Sequence, residues 1–150
     1  MTAVLEVSEL RAGYGAVRVL QGIDFSVDEG EVVVILGANG AGKTTTLRAI
    51  SGSLDAKGHV RFDGYDVLGR RPEQVAARGV AHVPQGRGTI TDLTVDENLR
   101  LGAYTRRDRE VDSDIAGWYD VFPRLGDRRR QLAGSMSGGE QQMQIGRAHV

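Results

Sequence analysis

The strongest chemical signal in the chain is eight residues long: "GANGAGKT", residues 37–44, which fits Gly-x-x-x-x-Gly-Lys-[Ser/Thr]. Gly37, Gly40 and Gly42, with the small or polar Ala38, Asn39 and Ala41 between them, let successive backbone N–H groups curve around an anion with no Cβ in the way. A helix opening from such a turn adds the partial positive charge of its N-terminus. Lys43 would then reach the β- and γ-phosphates of a nucleotide, and the Thr44 hydroxyl would hold Mg²⁺. Thr44, Thr45 and Thr46 are a poor opening for a helix, because β-branching restricts χ1. They are easier to understand if some hydroxyls are spent on a ligand. An ordinary glycine-rich turn would share the composition, but an apolar strand before it and a helical pattern after it favour a phosphate cradle.

A second stretch, "MSGGEQQ", residues 136–142, places Ser137, Gly138 and Gly139 ahead of a polar helix. It is either a plain helix cap or a second anion-ready N-terminus. Other chemistry-bearing residues fall away. His59, His82 and His149 have no partner pattern suggesting a metal or a general base. The two Asp-Glu pairs read as structural: Asp28-Glu29 runs into a glycine turn, and Asp96-Glu97 occupies a first helical turn, where carboxylates favour the dipole.

These residues need elements to position them. "VLEVSEL" alternates as a half-exposed strand does, and "GIDFSVDEGE" reads as a second strand entering a turn. "VVVILG" is continuously apolar and β-branched, the pattern of a strand buried on both faces of a parallel sheet. The helix after the cradle places Leu47, Ile50 and Leu54 on one face. "GHVRFDGYDV" predicts a hairpin turning at Asp63-Gly64, Pro72 opens a short helix to Arg78, and "GVAHVP" returns as a strand. Thr94 and Glu97 have capping-box spacing, so a helix begins at Thr94, and a further helix through "DSDIAGWYDVF" stops before Pro123. Strands, a strand–loop–helix unit and a helical block predict one α/β core with two small attachments.

Composition agrees with a globular chain of one domain's size. The 150 residues are 40% hydrophobic and 26% charged, and the 21 glycines are about twice the usual share, pointing to tight turns or backbone–ligand contacts. A net charge of −1 gives no reason to expect nucleic acid, and the lack of cysteine excludes disulfides and thiolate chemistry. The opening "MTAVLEVSEL" has no signal-peptide pattern, and the longest apolar run, residues 32–36, is too short to span a bilayer. A cytosolic protein is expected.

Taken together, the cradle, "MSGGE" and the residues between them resemble the ATP-binding cassette (ABC) ATPases, over essentially the whole chain to Met143. The resemblance implies an α/β P-loop fold with an N-terminal antiparallel β subdomain and an α-helical signature subdomain, and it implies ATP and Mg²⁺ as ligands. Tyr14 matches the aromatic that stacks on adenine, and Val19 the apolar residue beside the ribose. Thr45 is carried over with the cradle. Gln85 matches the glutamine that touches Mg²⁺ and senses the membrane subunit. Ser137, Gly138, Gly139 and Glu140 match the signature, with Met136 where leucine is commoner and glutamate at 140 where glutamine is frequent. In this family two domains close head to tail around two ATP molecules, the cradle of one against the signature of the other. The movement passes to transmembrane permease subunits and, indirectly, to a periplasmic or extracellular solute-binding protein. Within the family, "AHVPQGRGTITDLTVDENLRLGAY" and "LAGSMSGGEQQM" look like the ATPase subunit of branched-chain amino acid importers, which often carry glutamate where Gln85 stands. Such a subunit sits in the cytoplasm, peripheral on the inner face of the cell membrane.

Soluble cassette ATPases and small-molecule phosphotransferases share the cradle. The former, where they act in DNA repair, insert a long coiled coil, and no sustained heptads occur here, while translation-type members carry two cassettes and stay an alternative; "MSGGEQQ" argues against the latter. "TRRDRE" and "DRRRQ" read as solvated helix faces rather than a lipid-facing patch. The resemblance also implies, after the signature, a strand ending in Asp-Glu and a switch histidine, which these residues do not contain. Residues 1–143 are therefore expected to be a partial nucleotide-binding domain without turnover of its own. Residues 144–150, "QIGRAHV", are expected to be a non-native tail, since "IGRAHV" is one reading frame of a common sequencing adapter and Gln144 fits the codon that must precede it.

Overall fold

The computed structural model describes residues 3–86 and 88–144. The expectations for the tail beyond Gln144 and for His149 lie outside the described residues. The chain divides into two compact units, residues 1–80 and 81–150, where one core with two attachments was expected.

In the first unit, β1 (Ala3–Tyr14) pairs antiparallel with β2 (Val17–Asp28) on one side and β3 (Ala56–Phe62) on the other, and β4 (Tyr65–Asp66) completes the order β2-β1-β3-β4. Strict alternation breaks within β1. Leu5 and Val7 face the core, and then so do Leu10 and Ala12. The extra residue is absorbed at Glu9, whose φ of 51° marks a bulge where the register slips against both neighbours. Gly58 lies opposite, where a Cβ would stand 2.4 Å from the Glu9 carbonyl oxygen. The predicted turn is present: Asp63 (φ 47°) and Gly64 (φ 76°) join β3 to β4 with both residues left-handed, as a two-residue hairpin of type I′ requires.

The helix after the cradle, α1 (Lys43–Ile50), packs on this sheet through Ala49 and Ile50, with Thr45 and Thr46 also buried. Leu47 does not share that face, being 47% exposed: it lies one step, about 100°, round the helix from Thr46. Leu54 packs on the core from beyond the helix end. Helix α2 (Pro72–Ala76) ends two residues earlier than expected, and a turn through Gly79 (φ 99°) lays Arg78 over the Tyr65 ring at 3.9 Å.

Two expected strands are absent. Residues 32–36 form no strand, and Val32 and Leu36 are 86% and 85% exposed. Residues 79–84 form none either. The reason is pairing. A buried parallel strand exists only between neighbours that accept and donate its ladder bonds, and the sheet among the described residues is antiparallel throughout. Apolar, β-branched composition supplies the propensity and not the partner.

The second unit is helical: α3 (Val95–Gly102), α4 (Val111–Val121), α5 (Pro123–Asp127), a 3-10 turn (Ala133–Ser135) and α6 (Gly138–Met143). Its core gathers Val95, Leu99, Ala103, Ile115, Leu125 and Met136. Both predicted boundaries hold. Thr94 caps α3, its hydroxyl accepting from the Glu97 N–H at 3.2 Å while Glu97 accepts from the Thr94 N–H at 2.8 Å. Phe122 ends α4, and Pro123 starts α5 at the position where a missing N–H is harmless. Asn98 is fully buried and grips the preceding loop: its amide donates to the Ile90, Leu93 and Thr94 carbonyls, and its oxygen accepts from the Ile90 N–H. Among the described residues no helix is long and apolar enough to cross a membrane.

Candidate functional site

The cradle is held by β2. Gly42 is the N-cap of α1, with φ 100°, and a Cβ there would meet Leu20 Cδ2 at 2.7 Å and Val19 Cγ1 at 3.3 Å. No other residue suits both the left-handed backbone and the space. This also fixes Val19, half-buried, directly against the loop. Gly37 faces Ala41, the Ala41 N–H donates to the Ala38 carbonyl at 3.2 Å, and Gly40 turns the tip with φ 86°. Ala38, Asn39 and Gly40 are exposed.

Lys43 folds over this loop. Its Nζ donates to the carbonyls of Gly37 at 2.6 Å and Ala38 at 2.8 Å, and no carboxylate pairs with it among the described residues. A cation held only by neutral acceptors is available to an anion, since a full negative charge attracts it more strongly than carbonyl dipoles do. The helix behind it has no side-chain cap. Its first amides are therefore not met by a protein side chain, as suits a site that an anion completes.

The three threonines divide their work. Thr46 Oγ1 donates to the Gly42 carbonyl at 2.9 Å, and Thr45 is buried and hydrogen-bonds Tyr14. Thr44 alone is exposed at the mouth. The expectation that threonine hydroxyls serve a ligand thus narrows to Thr44. Tyr14 ends β1, 43% exposed, and its Oη accepts from Arg48 Nη1 at 3.3 Å. The hydrogen bonds from Thr45 and then Arg48 hold its phenol below the ordinary tyrosine value. Thr45 and Arg48 were not legible as partners of Tyr14, because 34 residues separate Tyr14 from Arg48 and no spacing rule spans them.

In the second unit Gln85 is exposed in an irregular segment. Ser137 is the N-cap of α6, its Oγ accepting from the Glu140 N–H at 3.3 Å while Glu140 accepts from the Ser137 N–H at 2.9 Å. Glu140 is turned inward, 8% exposed, and meets Arg128 Nη1 at 3.3 Å. The Ser137 backbone and hydroxyl, followed by Arg128, hold its carboxyl below the usual range. Gly139 is different: a Cβ there would meet nothing within 4 Å. Among the described residues no cluster of three or more His, Cys, Asp or Glu could hold a metal.

Comparison with known proteins follows this geometry. The sequence pattern of the ABC transporter family matches residues 20–150. The chain is 40% identical, over 97% of its length, to a high-affinity branched-chain amino acid transport ATP-binding protein of Pseudomonas aeruginosa. It is 34% identical, over 93%, to a probable branched-chain amino acid transport ATP-binding protein of Archaeoglobus fulgidus. An sn-glycerol-3-phosphate import ATP-binding protein of Rhizobium etli is 35% identical over 99% of the chain and is covered to 43%. The chain spans 63% and 60% of the lengths of the first two relatives. Among solved structures, the ATP-binding subunit of an ABC transporter superposes with a TM-score of 0.83 at 32% identity, covering 96% of this chain and 60% of that one. A nucleotide-free ATP-binding cassette gives 0.81 at 27% identity, covering 98% and 64%.

Proposed function

The chain belongs to the ABC transporter family, and on that premise we propose that it is the nucleotide-gripping part of an importer's ATP-binding subunit, with branched-chain amino acids as the transported class. One observation carries the nucleotide reading. An uncapped helix opens from a loop packed so tightly on β2 that only glycine fits at 42, and Lys43 lies over that loop with no carboxylate partner among the described residues. The transported class rests on the names of the Pseudomonas and Archaeoglobus relatives.

The residues present fit ATP. Moving from the Gly37 and Ala38 carbonyls, the Lys43 ammonium neutralises the terminal phosphates, and the amides at the start of α1 complete the grip. Thr44, the one exposed threonine of its triplet, offers its hydroxyl to Mg²⁺, and Gln85 keeps the metal-touching role that the family resemblance gives it. Tyr14 and Val19 take the base and ribose. Mg²⁺ offsets phosphate charge when bound; the protein's share is to orient it.

Ser137 and the Gly138 and Gly139 amides serve a second subunit's nucleotide. Gly139 supports this, since its lack of a side chain is required by no neighbour among the described residues and a glycine in a helix is less stable than alanine by about 1 kcal/mol. Binding ATP from both sides favours the closed dimer through differential affinity, and permease subunits receive the movement through the segment around Gln85. The assembly places the subunit at the inner face of the cell membrane, with a solute-binding protein beyond the permease.

The 150 residues on their own bind nucleotide without turning it over. Asp28 closes the outer strand β2 and its N–H donates to Glu31, while Asp96 and Glu97 belong to the first turn of α3, where Asp96 pairs with Arg100 and Glu97 with Thr94, so both pairs are accounted for by local structure. The test is retention of radiolabelled ATP with Mg²⁺ by equilibrium dialysis. Binding that Lys43→Ala removes supports the reading, and no retention at millimolar ATP refutes it.

A further inference from the structure

Tyr14 stands on a hairpin tip that has little packing of its own. Only Gly15 and Ala16 join β1 to β2, Gly15 has φ 57° with no neighbour within 4 Å of a Cβ, and the Tyr14 ring is half in solvent. What reaches it is α1. Thr45 and Arg48 are three residues apart, hence on one face of that helix, and both hydrogen-bond the Tyr14 hydroxyl. Arg48 makes no ion pair among the described residues, so the Tyr14 hydroxyl is not competing with a carboxylate for it.

We propose that Arg48 is a positioning residue for nucleotide recognition: from the last turn of α1 it holds the Tyr14 ring where a base stacks, so that one helix sets both the phosphate grip and the base grip. This role rests on the ATP reading above and adds to it. Lys43 and Thr44 open α1 and Arg48 closes it one turn later, within eight residues of continuous helix. A helix of that length is stiff, so the distance between the phosphate site and the Tyr14 hydroxyl is set by covalent geometry and by two hydrogen bonds. A nucleotide then meets a preformed ring and orders less of the protein on binding. The competing role for Arg48, a cation favouring the C-terminal end of the helix dipole, requires no contact with Tyr14.

The two roles separate experimentally with a ligand that lacks a base. Equilibrium binding of ATP and of inorganic tripolyphosphate, each with Mg²⁺, is measured on the full chain and on Arg48→Ala, Arg48→Lys, Tyr14→Phe and the Arg48→Ala/Tyr14→Phe double variant. Arg48→Ala weakens ATP about fivefold, the worth of one hydrogen bond, and leaves tripolyphosphate unchanged. Tyr14→Phe, which keeps the ring but loses Thr45 as well as Arg48, weakens ATP at least as much and also leaves tripolyphosphate unchanged. The double variant is no worse than Tyr14→Phe, because that change already removes the Arg48 contact. Arg48→Lys, which retains a donor, recovers part of the loss. Equal losses for the two ligands show damage to α1 as a whole and overturn the proposal, as do additive losses or unchanged ATP binding in Arg48→Ala. If the unsubstituted chain retains neither ligand, the ATP reading itself fails, an outcome distinct from those three.

Discussion

The two glycine-bearing turns of this chain open helices of opposite character. At residues 37–42 the glycines are demanded from within: Gly42 is left-handed and wedged against Leu20 and Val19, and Gly37 against Ala41. The helix they open carries no side-chain cap, and among the described residues its lysine has only carbonyls for partners. At residues 137–140 the helix is closed on itself by Ser137, Glu140 and Arg128, while Gly139 faces open space. The first site is rigid where it must be and unsatisfied where an anion would sit. The second is satisfied locally and bare on its surface. A glycine's meaning thus depends on whether its own chain or something outside it occupies the missing side chain's place.

Substitutions at the two turns should have opposite consequences. Lys43→Ala should have the largest effect, weakening ATP binding roughly a hundredfold through loss of charge-assisted hydrogen bonds, with the melting temperature unchanged. Dialysis and calorimetry together check this, and an unchanged affinity would put the anion site elsewhere. Next come the paired glycines. Gly42→Ala strains a left-handed backbone and overpacks against Leu20, lowering stability by about 2 kcal/mol. Gly139→Ala has room and raises helix propensity, so stability stays level or rises by about 0.5–1 kcal/mol. Denaturant unfolding of the two variants side by side tests the contrast directly, and equal losses would erase it.

Ser137→Ala removes the cap of α6 and lowers stability by about 1 kcal/mol, whereas the uncapped α1 has no equivalent substitution to lose. The smallest effect is acid dependence. Glu140 has its folded-state carboxyl held below the unfolded value, so its stabilisation is complete above the ordinary carboxylate range. That share drains away as pH falls through the depressed folded value. Glu140→Gln flattens this part of the unfolding-versus-pH curve, and a curve that keeps its shape would mean the Ser137 and Arg128 contacts do not bias the carboxyl.

Local signals were readable from the chain alone, and the reason is range. The Thr94–Glu97 box, the Asp63-Gly64 turn and the stop at Pro123 each involve atoms within a few residues, where φ preferences and side-chain reach decide the outcome. The cradle was legible for the same cause, as its glycines, lysine and threonine are contiguous. Residues 32–36 show the opposite case. Their composition predicted a buried strand, yet burial needs other strands at the right register, and the described sheet provides none. The bulge at Glu9, which carries Leu10 to the same face as Val7, was equally invisible, because a slip in register belongs to a pair of strands.

Amino-acid order thus settled which residues could grip phosphate and where the helices start and stop, since those matters are decided by bonds a few atoms long. Tertiary structure alone decided why position 42 tolerates nothing larger than glycine, which threonine stays free at the mouth, and that Arg48 reaches Tyr14. Each of those is a meeting of distant segments, and the distance between two such segments is a property of packing rather than of any stretch of chain.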